Sequence, residues 1–121
     1  MPRRRPPESD GRRAAWAILQ AVEAEHGNSN TLLATLPDAM DERDRALATE
    51  IVYGVLRRRA QLDRILIRWS RRPVEQIDPP LRIILRMGLY QILHLTRVPI
   101  PAAVDESVDL ARRAAGRGAA A

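Results

Sequence analysis

Apolar residues recur at every third or fourth position along most of this 121-residue chain, which is the spacing that puts side chains on one face of an α-helix. No segment alternates apolar and polar residues as a half-buried strand does. Prolines and glycines divide the pattern into separate helices, because proline lacks the amide hydrogen that a helix interior needs. The predicted helices cover about residues 12–26, 30–36, 41–59, 60–70, 79–95 and 103–111.

The pattern predicts one helical domain between two irregular ends. Residues 1–11 hold three prolines, a glycine and three arginines without an apolar period, and are predicted to form a disordered basic arm. The domain itself is predicted over residues 12–115, and residues 116–121 are predicted to be a frayed tail. A chain of this size can bury a single core and has room for one modest site.

Two features of the pattern predict how the helices meet. The arginine cluster at residues 57–59 marks either a bend in one long helix or a boundary between two, and we favour two helices. Gly54 and Gly88 both fall inside helical patterns, at a cost of about 1 kcal/mol each relative to alanine. Because a missing side chain lets two helices cross closely, the helices that carry these glycines are predicted to touch there.

Composition limits the kinds of site that the chain can hold. Hydrophobic residues make up 45% of it, but phenylalanine is absent and the aromatic residues are Trp16, Tyr53, Trp69 and Tyr90, so stacking platforms for bases are expected to be scarce. The absence of cysteine excludes disulfides, thiolate metal sites and cysteine nucleophiles, and fits a cytoplasmic location. The uncharged stretch at residues 87–96 is too short to span a membrane, and the first residues do not read as a signal peptide.

Charge is carried by arginine and is unevenly distributed. All 20 positively charged side chains are arginines and the formal net charge is +5, which favours a polyanionic partner, although such a composition also fits a GC-rich genome. Positive charge is concentrated at residues 3–13, at residues 57–72, where seven arginines accompany one aspartate, and at residues 82–86. Residues 23–50 hold seven acidic residues and two arginines, a composition suited to a basic partner.

Individual charged groups have more than one interpretation. Arg57, Arg58 and Arg59 fit equally well as the positive complement of a helix C-terminus and as phosphate ligands. Arg71 and Arg72 are interpreted as ordinary surface residues. The acidic run at residues 41–44 is interpreted as a helix N-terminus and not as a pair of carboxylates for acid–base catalysis.

Motifs for nucleotide or metal chemistry are not evident. No GxGxxG or P-loop sequence follows a strand. His26 and His94 have no second histidine or acidic residue three or four positions later, so they are interpreted as a helix-end residue and a core-edge residue, and no metal site is predicted. These residues predict a chain that binds and does not catalyse.

Four segments together resemble the NusB-like RNA-binding domain: GNSNTLL at 27–33, RDRALATEIVYGVLRRRAQLD at 43–63, LRIILRMGLYQILHLTRVP at 81–99 and AAVDESVDLAR at 102–112. Within that superfamily, VYGVLR, GLYQ and RVP are most similar to the N-terminal domain of the ribosomal RNA cytosine-5 methyltransferases of the RsmB (Sun/Fmu) type. The resemblance covers about residues 12–115. It implies an all-α fold, a bundle of about six helices in two subbundles, and a role in holding RNA.

The resemblance and the charge pattern together select the candidate RNA ligands. The family's basic N-terminal region and the start of its central helix both carry arginines. The predicted RNA-binding residues are Arg3, Arg4, Arg5, Arg12, Arg13, Arg57, Arg58, Arg82 and Arg86.

Two of these arginines lie one turn apart on one helix and are expected to differ in role. We expect Arg82 to reach the basic face and bind RNA. We expect Arg86 to be held by a carboxylate of the last helix, such as Glu106, because a buried arginine needs an ionic partner.

The sequence departs from the family pattern in two respects. The family's last helix, of pattern GFVNAVLR, and the methyltransferase domain do not follow, as expected of a fragment. The chain is therefore expected to have no S-adenosylmethionine site or other cofactor, and not to methylate alone. Ribosomal RNA is the expected partner, and a catalytic methyltransferase domain or a ribosomal protein is a further candidate. No association with a membrane is expected.

Two alternatives remain open at the level of sequence. One is a transcription antitermination factor of the NusB type that binds RNA together with a ribosomal protein. The other is a protein-interaction module that uses the acidic residues and has no RNA role.

Overall fold

The computed structural model describes residues 7–95 together with residues 101, 107, 109, 111 and 112, and describes side chains from residue 11 onward. Every regular element in this part of the chain is helical, which confirms the all-α prediction. The elements are α1 (Pro7–Glu23), α2 (Ser29–Ala34), α3 (Glu42–Arg57), α4 (Arg59–Ser70), a short 3₁₀ helix (Val74–Gln76) and α5 (Pro79–His94). Residues 107, 109 and 111 of the predicted last helix are helical, and its other positions lie outside the described residues.

Helix α1 begins at Pro7, five residues before the predicted start at residue 12. Proline is tolerated in the first turn of a helix, where its missing amide hydrogen would have no acceptor in the helix. Gly11, predicted to end the arm, is instead buried within α1. A Cβ atom there would lie 2.8 Å from the backbone oxygen of Asp44, so this glycine allows α1 to approach the first turn of α3 closely.

The chain divides into two compact units, Met1–Tyr53 and Gly54–Ala121, and the division falls within α3. In the first unit α1 packs against α2. The side chain of Asn28 caps α2 by accepting a hydrogen bond from the backbone amide of Thr31 at 2.8 Å, and Asp41 accepts one from the amide of Arg43 at 2.8 Å before α3. The acidic residues at the start of α3 therefore serve a helix N-terminus, as predicted.

In the second unit, a single residue separates two helices. Arg58 has φ −109° and ψ 17° between the end of α3 and the start of α4, which confirms the prediction of two helices over one bent helix. Helix α4 packs against α5 and against the 3₁₀ helix. At its other end α4 stops at Arg71, whose left-handed backbone (φ 59°) ends the helical hydrogen bonding.

Among the described residues of the second unit, α5 contributes five buried apolar side chains, Ile83, Ile84, Met87, Leu89 and Tyr90. It begins after Asp78 with two prolines in its first turn, as predicted. Gly54 of α3 leaves space for the buried ring of Tyr90, since a Cβ atom at Gly54 would overlap that ring. Gly88 faces the side chain of Ser107. The two glycines were predicted to mark a helix crossing, and the close approach at Gly54 is confirmed, whereas Gly88 serves a different contact.

Candidate nucleic-acid interface

Arg86 forms a buried ion pair in the interior of the second unit. Its Nε donates to Oδ1 of Asp63 at 2.7 Å and its Nη2 donates to Oδ2 at 3.0 Å, so both carboxylate oxygens accept from one guanidinium. Arg86 is only 6% exposed. The prediction that Arg86 pairs with a carboxylate is confirmed for Asp63 of α4, and the predicted pairing with Glu106 of the last helix falls on a residue outside the described ones. Arg86 was also among the predicted RNA ligands, and its burial makes it a structural residue instead.

Arg82 is partly committed to the protein as well. Its Nη1 donates to the backbone oxygen of Val74 in the 3₁₀ helix at 2.9 Å, and the side chain is half-buried. The expectation that Arg82 reaches the basic face and binds RNA stays a prediction, and this guanidinium also fastens the loop between α4 and α5.

The predicted arginines of the first unit do not form an exposed cluster in the described residues. Arg12 is only 2% exposed and Arg13 is half-buried, and both take part in interactions within the protein. Arg3, Arg4 and Arg5 lie outside the described residues. Of the nine predicted ligands, Arg57 and Arg58 are the two that the structure describes as exposed.

Arg57 and Arg58 belong to a longer cationic surface, residues 57–72, which we call the basic segment. It runs from the last residue of α3 through α4 into the following loop. All seven of its arginines are exposed, and none of them forms a salt bridge within the described residues. They are Arg57, Arg58, Arg59, Arg64, Arg68, Arg71 and Arg72.

Asp63 decides the electrostatic character of this segment. It is the one acidic residue among residues 57–72, and both of its oxygens are occupied by Arg86 from outside the segment. The negative charge nearest in sequence to the arginines is therefore balanced from the interior of the unit. Seven guanidinium groups remain exposed to solvent and available to a polyanion.

Two of these arginines lie on the side of α4 that points to solvent. Arg64 and Arg68 lie four residues apart, about 6 Å along the helix axis, and therefore on the same side of α4. Leu62 and Leu66 occupy the buried side. Two guanidinium groups one turn apart can each fork onto a phosphate of the same RNA strand.

Sequence reasoning missed Arg64 and Arg68 as candidate ligands, although the count of seven arginines in residues 57–72 was evident. Arg59 was considered as a phosphate ligand but is absent from the predicted list. The helical spacing of Arg64 and Arg68 opposite Leu62 and Leu66 is the signal that could have selected them. Their freedom from ion pairs depends on the long-range contact of Asp63 with Arg86, which no local pattern reveals.

His94 lies at the edge of the same unit, as the sequence predicted. Burial, and to a smaller degree the positive charge of Arg58, hold the pKa of this imidazole below its usual value. A ring nitrogen lies 3.2 Å from the side-chain oxygen of Gln61, and the ring centroid lies 5.3 Å from that of Tyr90. His94 is therefore a neutral packing residue at neutral pH.

The described part of the chain offers neither a metal site nor a membrane span. There, no three histidine or acidic side chains converge in a way that could hold a metal ion. No helix among the described residues is both long and apolar enough to cross a membrane.

The sequence is similar to a known protein family and to two longer proteins. The model of a family described as the NusB family matches residues 9–121. A Mycobacterium tuberculosis protein named as a methyltransferase is 42% identical over 112 residues, which are 91% of this chain and 24% of that protein. Ribosomal RNA small subunit methyltransferase B of Escherichia coli is 38% identical over 96 residues, which are 79% of this chain and 22% of that protein. The chain thus spans about a quarter of the length of these relatives.

Two further matches concern a shorter protein. The transcription antitermination protein NusB of Halorhodospira halophila is 41% identical over 78 residues, which are 64% of this chain and 50% of that protein. The solved structure of T. maritima NusB superposes with a TM-score of 0.76 at 18% identity, over 92% of this chain and 80% of that one. At this level of identity the superposition establishes a shared helical fold.

Proposed function

Because the chain belongs to the NusB family, we propose that it binds RNA and that it positions ribosomal RNA for a small-subunit ribosomal RNA cytosine-5 methyltransferase. The methyltransferases of Mycobacterium tuberculosis and Escherichia coli support this parentage, since each matches the chain over a quarter or less of its own length. The proposed place of action is the cytoplasm, where ribosomal RNA is available.

The basic segment is the observation that carries the proposal. Its seven exposed arginines have no acidic partner among the described residues, and Asp63 is neutralised by Arg86. Charged side chains that pair with each other have little charge or hydrogen-bonding capacity left to bind a ligand. Unpaired guanidinium groups, in contrast, can each displace a condensed counterion from RNA. The segment is therefore suited to hold an RNA backbone.

Binding, and not bond making, is the proposed contribution of this chain. Arginine forks on phosphate oxygens fix the position of an RNA strand but carry little sequence information. A catalytic domain linked to this one would meet its RNA at a raised effective concentration. The S-adenosylmethionine that methyl transfer consumes would then bind to that other domain, and this chain needs no cofactor for its own role.

An antitermination factor of the NusB type is a second candidate. The 41% identity with NusB of Halorhodospira halophila over 78 residues favours it. Both candidates bind RNA through the same family fold, and they differ in the RNA that is preferred and in whether a ribosomal protein is needed. An interaction module without RNA affinity is the outcome that would oppose both.

Affinity for a structured fragment of small-subunit ribosomal RNA, measured at several salt concentrations, tests the proposal. About four phosphate contacts would weaken binding about 100-fold between about 50 and about 200 mM salt. We expect such a loss, without a requirement for any protein partner. The second candidate would be supported if an antitermination RNA bound as tightly as the ribosomal RNA fragment, but only when a ribosomal protein was present. Absence of binding at the lowest salt concentration would refute RNA binding.

A further inference from the structure

Trp69 is the most exposed large hydrophobic side chain among the described residues, with 75% of its surface accessible. The others that are exposed reach at most 46%, and Trp16 is buried in α1. An indole in water adds nothing to a core, and exposed tryptophan is typical of positions that contact a ligand or partner. The position of Trp69 in the last turn of α4 puts this ring inside the basic segment.

Positive charge flanks this ring on both sides in the chain. Arg68 precedes it, and Arg71 and Arg72 follow it, all three exposed. The C-terminus of α4 carries a partial negative charge of about half an elementary unit, which one arginine would balance. Three arginines exceed that need, so the excess charge is available to an anionic ligand.

The turn that carries these arginines is held by local hydrogen bonds. The amide of Arg71 donates to the backbone oxygen of Ile67 at 2.8 Å. The amide of Arg72 donates to Oγ of Ser70 at 3.2 Å. An ordered turn reduces the conformational entropy that a ligand-binding loop would lose on binding.

We propose that Trp69 is a stacking platform for an unpaired RNA base, with Arg68, Arg71 and Arg72 binding the phosphates on either side of that base. This inference rests on the proposed RNA binding and adds a preference for single-stranded RNA. Every base has a face that stacks on indole, so the platform tolerates any sequence, but a base inside a duplex is already stacked on its neighbours. A protein partner would have to cover Trp69 and also desolvate three unpaired guanidinium groups, which RNA phosphates neutralise directly.

Three RNA probes of the same length, about 12 nucleotides, separate stacking from electrostatics. They are a single strand of uridines, a duplex, and a single strand without bases. In the full chain, Trp69→Ala should weaken binding of the uridine strand about tenfold. Binding of the duplex and of the abasic strand should stay unchanged, as should the salt dependence for all three, because no phosphate contact is lost.

Two further variants test whether an aromatic ring is needed at position 69 and whether any exposed apolar side chain of α4 would have the same effect. Trp69→Phe keeps an aromatic face and should retain most of the affinity for the uridine strand. Ile67→Ala removes another exposed apolar side chain of α4, 42% accessible, and should change no affinity. Thermal unfolding of Trp69→Ala should match that of the wild type, since the side chain is mostly in solvent.

The outcomes distinguish this inference from the proposed function. Wild-type affinity of Trp69→Ala for the uridine strand, with salt-dependent binding preserved, overturns the stacking platform and leaves RNA binding intact. An equal loss on all three probes also overturns it, because the ring would then act on the fold or on phosphate contacts. Absence of RNA binding by the wild type at low salt overturns both proposals.

Discussion

Arg86 of α5 holds both carboxylate oxygens of Asp63 of α4, at 2.7 and 3.0 Å. This one bidentate contact has two consequences. It ties together two helices of the second unit around a guanidinium that is almost fully buried. It also engages both oxygens of the one acidic group of residues 57–72, which leaves the seven arginines there without a carboxylate partner in the described residues.

Breaking this pair should destabilise the fold. Arg86→Ala leaves a partly buried carboxylate without its partner, and we expect the free energy of unfolding in urea to fall by about 3 kcal/mol. Asp63→Asn should also lower the free energy of unfolding, because the buried guanidinium loses its bidentate contact with this charged carboxylate. The double variant Arg86→Met with Asp63→Leu should recover most of the loss. Equal stability of Arg86→Ala and the wild type would contradict a structural role for the pair.

The close approach of Gly54 to Tyr90 predicts a change of sign in a double-mutant cycle. Gly54→Ala should lower the free energy of unfolding by about 1 to 2 kcal/mol, because the added methyl group overlaps a buried ring and overpacking outweighs the gain in helix propensity. In a Tyr90→Leu background the overlap is gone, so the same change should be neutral or stabilising. Destabilisation by Gly54→Ala of equal size in both backgrounds would argue against this contact.

The hydrogen bond from Arg82 to the oxygen of Val74 predicts an effect on stability. Arg82→Ala should lower the free energy of unfolding by about 1 kcal/mol, since the Val74 carbonyl loses the side-chain donor and keeps only the amide of Ile77. Arg64→Ala is the matched control: this exposed arginine lies in a helix, and its removal should change stability by less than about 0.5 kcal/mol. Denaturant unfolding of both variants measures the difference, and a loss in neither would leave Arg82 as a purely surface residue.

The lowered pKa of His94 predicts a specific pH dependence. The folded protein binds a proton at this ring less readily than the unfolded chain, whose histidine titrates near about 6.5. The contribution of neutral His94 to stability is therefore complete above that pH and decreases as the pH falls through it toward the folded-state value. Acidification from about pH 7.5 to about pH 5.5 should destabilise the wild type more than His94→Gln.

An NMR titration of the His94 ring tests the causes of that shift. Arg58→Gln should raise the pKa of His94, because it removes a like charge. The pKa should still remain below its usual value, because burial is the larger cause. Titration of His94 at the usual histidine value in the wild type would contradict this environment.

Helices could be predicted from the sequence because their signals are local. The double proline after Asp78 and the apolar period up to residue 95 predicted α5 to within one residue of its observed end. The start of α1 was predicted five residues too late, because Pro7 and Gly11 were taken as signs of an irregular arm. The residue at position 11 is a glycine because the backbone of Asp44 leaves no room for a Cβ atom, and that contact joins residues far apart in sequence.

The candidate site was harder to predict than the fold for the same reason. Charge counts identified residues 57–72 as basic. A sequence does not show, however, which arginines are buried or hydrogen-bonded in the fold and which are exposed. Arg86 is buried against Asp63, Arg82 donates to Val74, and Arg64 is exposed. These differences arise from which helix faces which, so the list of predicted ligands mixed structural arginines with exposed ones.

The central claim is that the exposed arginines of α4 bind RNA phosphates, and the salt dependence of binding tests it most directly. Arg64→Gln with Arg68→Gln removes two charges from the basic segment, and Arg43→Gln with Arg112→Gln removes two exposed charges elsewhere. The first pair should weaken binding of a ribosomal RNA fragment and reduce the slope of log affinity against log salt by about 1.5, whereas the second pair should leave the slope unchanged. Equal slopes for the two variants and the wild type would contradict the claim.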